Sequence, residues 1–270
     1  MILVTGATGR VGGQVVRQLV EAGVTEVRAL ARDASRARLP VEAVEGDLAV
    51  PGSLDAALEG VDKVFLVWPT LQADHAAPET VKRLAGRHVV YFSAATAGAA
   101  DPINASHGEI ERLVSESGAD WTFLRITGLA ANDLKWAEGI ERDGVVREPF
   151  AGWARSHIHE ADVAAAGVRV LTGEGHEGAT YVLTGPQALT APERVAAVSE
   201  VIGREVRFQE ASLEEVRLQY EAVFGPELAA GLLGRMAGGV PEPEPVTGTV
   251  EELTGRPART YRQWAADHWR

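Results

Sequence analysis

Residues 1–20 read MILVTGATGRVGGQVVRQLV, an apolar run followed by a glycine-rich turn and then valine and leucine at helical spacing. Gly6, Gly9 and Gly12 form GxxGxxG between the two. Each glycine answers a separate steric need: a tight turn, close approach of backbone to a pyrophosphate, and packing of helix on strand. The helix that follows offers unpaired N–H groups and a partial positive charge to an anion. A bare glycine trio is a weak signal, but here a strand precedes it, a helix follows, and a second strand comes at the right distance. The stretch predicts the opening of a dinucleotide-binding fold.

Short β-rich runs continue at Glu26–Ala31, Glu42–Glu45, Lys63–Val67, His88–Ser93, Trp121–Ile126 and Thr180–Thr184. Several are apolar without alternation, as strands covered on both faces require. Amphipathic helical pieces separate them. The alternation predicts an α/β fold: a Rossmann-type doubly wound parallel sheet with a smaller, mainly helical C-terminal lobe over its carboxyl edge. Residues 1–155 are expected to form the cofactor domain, with 156–185 returning to its sheet. The lobe is expected from 186–270 together with 127–155. Helices are predicted there over Pro192–Gly203, Leu213–Phe224, Glu227–Ala237 and Thr260–Trp269, and one strand in EVRFQEA. GGVPEPEPVTGT reads as an extended connection.

The 270 residues carry a formal net charge of −12, with 46% hydrophobic and 24% charged residues. Such a surface disfavours nucleic acid and anionic membranes as partners. No apolar run approaches the roughly 20 residues needed to span a bilayer. There is no cysteine, which excludes disulfides, thiolate chemistry and Cys-ligated metals. With no charged leader or cleavage site at its start, the chain reads as cytoplasmic, as a monomer or homodimer.

An NAD-preferring site places a carboxylate about 20 residues past the glycines. Arg32 stands there, with Arg36 and Arg38 close behind. A guanidinium fork suits a 2′-phosphate, so NADP(H) is the expected cofactor and NAD(H) the less favoured one; a solvated loop is the bland alternative. By position, Asp47 and Leu48 fall near the adenine and Trp68 near the nicotinamide ribose, although Trp68 also suits a core. Ser93 ends the fifth strand, placed to meet a substrate oxygen or to cap the next turn. Tyr91 reads as packing.

His107 and Glu111 are four apart on a predicted helix and so share a face, where the carboxylate would raise the imidazole's pKa. Such a pair suits proton donation to an acceptor oxygen, or equally a surface ion pair. Trp136 and Trp153 are candidates for an aromatic pocket wall or for core, and His157 for the pocket lining. In SHIHEAD (Ser156–Asp162), His157 and His159 would share a strand face. No third ligand follows at zinc spacing, so no metal is expected, and Asp162 reads as the cap of the next helix. No G-x-S-x-G, G-K-[ST] or HExxH is present.

These features resemble the NmrA-like group of atypical short-chain dehydrogenase/reductases. The resemblance rests on TGATGRVG (Thr5–Gly12), VRALARD (Val27–Asp33), GDLAVPGSLDAALEGVDKVFLV (Gly46–Val67) and SHGEIERLVSESGADWTFLR (Ser106–Arg125). GATYVLTGPQALT (Gly178–Thr190) and ELTGRPARTYRQWAADH (Glu252–His268) extend it over nearly the whole chain. It implies that Gly6, Thr8, Gly9, Arg10, Val11 and Gly12 hold the diphosphate and Arg32 the 2′-phosphate. It implies too that His107 and Glu111 replace the tyrosine–lysine pair of typical members. The expected activity is NADPH-dependent reduction of a quinone, enone or aromatic carbonyl. The group also contains cofactor-binding sensors, so a non-catalytic NADP(H) sensor stays open. So does a redox-neutral isomerase or cyclase acting through His107 or Tyr220.

Overall fold

A computed structural model describes residues 1–99, 101–239 and 242–269. Val240 and Pro241 of the expected extended connection lie outside the described residues. The strands are β1 Ile2–Val4, β2 Val27–Ala31, β3 Glu42–Glu45, β4 Lys63–Leu66, β5 His88–Ala94, β6 Asp120–Ile126, β7 Val145–Glu148, β8 Ala179–Leu183 and β9 Arg207–Glu210. The helices are α1 Arg10–Glu21, α2 Asp55–Leu58, α3 Ala77–Lys82, α4 Pro102–Glu116, α5 Ala137–Asp143, α6 Glu160–Thr172, α7 Ala191–Ile202, α8 Leu213–Phe224, α9 Pro226–Gly239, α10 Thr249–Thr254 and α11 Tyr261–His268.

The doubly wound parallel sheet expected from strand–helix alternation is present, ordered β3-β2-β1-β4-β5-β6-β8. The order in which strands are added reverses between β1 and β4, which places the ligand crevice outside their carboxyl ends. One core joins the sheet to α1 and α6, with Val11, Val15, Val16 and Leu19 set against Val163, Ala166 and Val170. Burying each large apolar side chain there stabilises the fold by roughly 1.5–3 kcal/mol. A second core lies on the opposite face, where Leu54, Val81, Ile110 and Val114 meet Leu66, Tyr91 and Phe123.

A third core gathers α5, β7, α7, β9 and α11 around Trp136, Ile140, Val198 and Trp264. Its two-stranded sheet pairs β9, the strand expected in EVRFQEA, with β7. β7 has no counterpart in the sequence reading, because a four-residue strand whose partner begins 62 positions later carries no local periodicity. α10 is likewise absent from that reading. No helix is long and apolar enough to cross a membrane among the described residues.

Candidate functional site

The glycines do what their spacing demands. Gly6 takes a left-handed backbone, φ 58°, and a Cβ there would lie 2.9 Å from the Val67 Cβ. At Gly12 a Cβ would collide with the Gly6 carbonyl, so α1 rests directly on the turn. Gly9 is the N-cap of α1, extended and with no side chain to close the first-turn N–H groups. Thr5 and Val67 exchange two hydrogen bonds, of 2.7 and 3.1 Å, that tie β1 to the end of β4.

A cavity of about 460 Å³ opens at this turn, lined by Thr8, Gly9, Arg10, Arg17, Arg36 and Arg38 among others. None of these arginines has an ion-pair partner among the described residues. That arrangement fits a polyanionic dinucleotide: backbone N–H groups at a helix start, a cradle a Cβ would fill, and uncompensated guanidiniums. Arg32 lies outside the cavity wall, exposed at the end of β2. Val11 is buried in the core beneath the turn. Leu48 and Trp68 belong to the opposite core, and the Trp68 Nε1 donates to Asp74 at 2.9 Å. Asp47 accepts from the Ala49 N–H. Arg17 escaped the sequence reading, although it lies seven residues beyond Arg10 on the same face of α1.

At the carboxyl ends of β5 and β6, α4 brings His107 and Glu111 to one side as spacing predicted, but they do not bond each other. Register sets Ser93 opposite Arg125, and both reach Glu111. Ser93 Oγ donates to it at 2.7 Å and Arg125 Nε at 2.9 Å. Ser93 is 1% exposed and Glu111 6%, so both are committed to a buried network rather than to the crevice. His107 turns instead to Tyr91, whose hydroxyl lies 2.7 Å from Nδ1, while Nε2 lies 3.4 Å from Thr70 Oγ1. Burial outweighs Glu111 and Asp74 and holds the imidazole below its ordinary pKa, contrary to the expected rise. Burial, with Glu111 and Asp74 adding to it, pushes the Tyr91 hydroxyl far above its usual pKa. The Tyr91 O–H therefore keeps its proton, and its hydrogen-bond partner among the described residues is Nδ1. Donation to Nδ1 satisfies it and leaves His107 neutral with its proton on Nε2, facing Thr70.

Beyond the end of β6 lies a second cavity, of about 560 Å³. Trp153 and His157 line it with Lys135, Arg155, Arg194 and Tyr220. Trp136 does not; it is buried, donating to Glu148 at 2.9 Å beneath the Arg194 guanidinium. Arg155 fixes the cavity to the sheet edge through the Thr127 carbonyl at 2.7 Å. The two non-glycine residues with left-handed backbone among those described sit at these places, Phe150 (φ 58°) in the cavity wall and Leu71 (φ 65°) beside Thr70. Such conformations cost about 1–3 kcal/mol and gather at functional sites.

His159 does not share a role with His157. It caps α6 by accepting the Ala161 N–H, the place expected for Asp162, while Asp162 pairs with Arg259. His268 of α11 reaches Glu160 at 2.6 Å, next to the glycine-loop cavity. No group of three or more metal-ligating side chains could hold a metal ion among the described residues.

A model of the family described as NAD(P)H-binding matches residues 6–174. The chain is 40% identical to a (4-alkanoyl-5-oxo-2,5-dihydrofuran-3-yl)methyl phosphate reductase of Streptomyces griseus, over 99% of this chain and 98% of that protein. It is 38% identical to an NAD(P)H azoreductase of Xenophilus azovorans, with the same coverage. Among solved structures, a Citrobacter triphenylmethane reductase complexed with NADP(H) superposes with a TM-score of 0.83 at 26% identity, covering 99% of both chains.

Proposed function

The chain belongs to the NAD(P)H-binding family, and on that premise we propose that it is an NADPH-dependent reductase of a quinone, enone or aromatic carbonyl. The observation that carries the cofactor choice is the glycine-loop cavity with Arg10, Arg17, Arg36 and Arg38 unpaired, in a chain of net charge −12. Elsewhere arginines such as Arg125, Arg194 and Arg262 hold carboxylates. Four that hold none are matched to charge arriving with the ligand, and a 2′-phosphate adds about two negative charges near Arg36 and Arg38.

NADPH supplies the hydride. The protein's own contribution is a donor for the oxygen on which charge develops, and His107 Nε2–H fills that role at the sheet's carboxyl edge. Tyr91 is its positioning residue, fixing the tautomer from below. Glu111 supports the site by holding Ser93 and Arg125, not by charging the imidazole.

The test is NADPH oxidation at 340 nm against quinones, enones and aromatic aldehydes, repeated with NADH and with His107→Phe and Tyr91→Phe. Acceptor-dependent oxidation that prefers NADPH is expected. It should fall about 100-fold in His107→Phe, within the range for loss of an acid catalyst. Tyr91→Phe should lower kcat about tenfold with KM little changed. Binding of NADPH without oxidation by any acceptor would move the cofactor-sensor reading ahead.

A further inference from the structure

The cavity beyond β6 combines an apolar wall with cations around one buried imidazole. Phe150, Trp153 and Tyr220 supply the wall, and α8 and α9 close it from above. Lys135, Arg155 and Arg194 contribute the charge. The carboxylates that balance these cations are each committed to a second donor. Asp133 takes the Arg194 Nε at 2.9 Å and the Tyr261 hydroxyl at 2.7 Å. Glu148 pairs with Lys135 at 2.6 Å and takes the Trp136 Nε1. Glu244 takes the Arg155 Nε and the Ser156 N–H.

His157 reports what charge is left over. It is 5% exposed, and its Nδ1 is buried with no hydrogen-bond partner among the described residues. Burial drives its pKa well down, and the charges that act on it most strongly, Arg194, Arg155 and Lys135, are all positive. Asp133 and Glu148 line the cavity with Lys135, Arg155 and Arg194 whereas Glu244 does not, so its wall carries three cations against two carboxylates.

We propose that this cavity selects acceptors that are amphiphilic anions, with an aromatic or alkyl body against Trp153 and Phe150 and a carboxylate, sulfonate or phosphate group at the Lys135–Arg155 end. The neutral imidazole of His157 adds a hydrogen bond to that group without competing charge. The inference rests on the reductase reading, since it specifies which acceptors of that reaction this cavity would admit.

Calorimetric titration of the NADP⁺-saturated protein with 2-naphthoate and with its neutral methyl ester tests it without requiring turnover. The naphthoate should bind at least tenfold more tightly than the ester. Lys135 is 49% exposed but its partner Glu148 only 11%, so each Lys135 variant is first required to melt cooperatively. Lys135→Gln should narrow the preference and Lys135→Glu should abolish it, with ester binding unchanged in both. Equal binding of the two probes, no binding of either, or a preference indifferent to Lys135→Glu overturns the proposal. NADPH oxidation with 4-formylbenzoate and its methyl ester separates the two readings. Oxidation without anion preference removes the anion subsite alone. Anion preference in binding, without oxidation by any acceptor, removes the reductase and leaves the subsite.

Discussion

The two cavities treat positive charge in opposite ways. Around the glycine loop, Arg10, Arg17, Arg36 and Arg38 form no ion pair among the described residues, and Glu160 in the same wall is taken by His268. In the cavity beyond β6, Lys135, Arg155 and Arg194 are each held by one. The first arrangement waits for a ligand that brings several negative charges, and its exposed guanidiniums cost little while empty. In the second, Arg194 is buried and Arg155 nearly so, and an unpaired cation at either would carry a heavy desolvation penalty. Pairing removes that penalty and fixes each side chain, so selectivity there falls to shape and a small residual field. One region binds by charge; the other discriminates.

The comparison is broken most severely at the turn itself. Gly12→Val drives a branched side chain into the Gly6 and Thr5 carbonyls, against which even a Cβ does not fit. α1 must then lift from β1, and the N–H groups at its start lose their aim. NADPH affinity measured by calorimetry should fall by 100-fold or more, a loss of about 2.7 kcal/mol at the usual 1.36 kcal/mol per factor of ten. Binding of 2-naphthoate, which depends on the other cavity, should fall far less in a variant that still melts cooperatively. Equal loss of both ligands would mean the two cavities are one mechanical unit.

A smaller effect separates the cofactor phosphates. Hydrogen bonds to charged groups contribute about 1.5–3 kcal/mol each. Replacing Arg36 and Arg38 together by serine should therefore lower NADPH affinity about 30-fold or more while changing NADH affinity by less than threefold. Arg32→Ser alone should change the ratio little, because Arg32 lies outside the cavity wall. If Arg32→Ser alone erases the preference, the 2′-phosphate sits at the end of β2 and the cavity arginines serve the diphosphate.

What could be read from the sequence follows the same division. The glycine loop is contiguous, its spacing is steric, and β1, the turn and α1 were all legible in it. The His107–Glu111 pairing was legible only as a shared helix face. Glu111 turns away because β5 and β6 align Ser93 with Arg125, and that register is a property of two strands some 30 residues apart. Tyr91 read as packing because a strand pattern assigns a face, not the partner of a phenol tip. The cavity beyond β6 gathers residues from Asn132 to Met236. Trp153 and His157 could be suggested singly, but Lys135, Arg155 and Arg194 are scattered charges until α7 and β7 bring them together.

The smallest expected effect tests through stability whether His157 is buried and uncharged in the cavity. His157 has an ordinary pKa of 6.5 when unfolded and one held well below that when folded. Its contribution is therefore complete above pH 6.5 and is lost as pH falls toward the folded value. His88 and His107, both lowered, act in the same direction. His159, raised by Glu160 and Asp267 against its burial, acts in the opposite one, stabilising most at low pH. With three lowered histidines against His159 and the buried Asp133, whose carboxyl is also raised, the melting temperature should drop between pH 7 and pH 5.5. Each unit of pH below 6.5 costs up to about 1.4 kcal/mol per lowered histidine. His157→Gln should remove one share, flattening the drop by about 2–4 °C at this chain length, whatever it does to the absolute melting temperature. A drop of unchanged slope in His157→Gln would mean that the imidazole is solvated and titrates normally, and His157 would then not be the buried neutral donor that the cavity is proposed to offer a substrate anion.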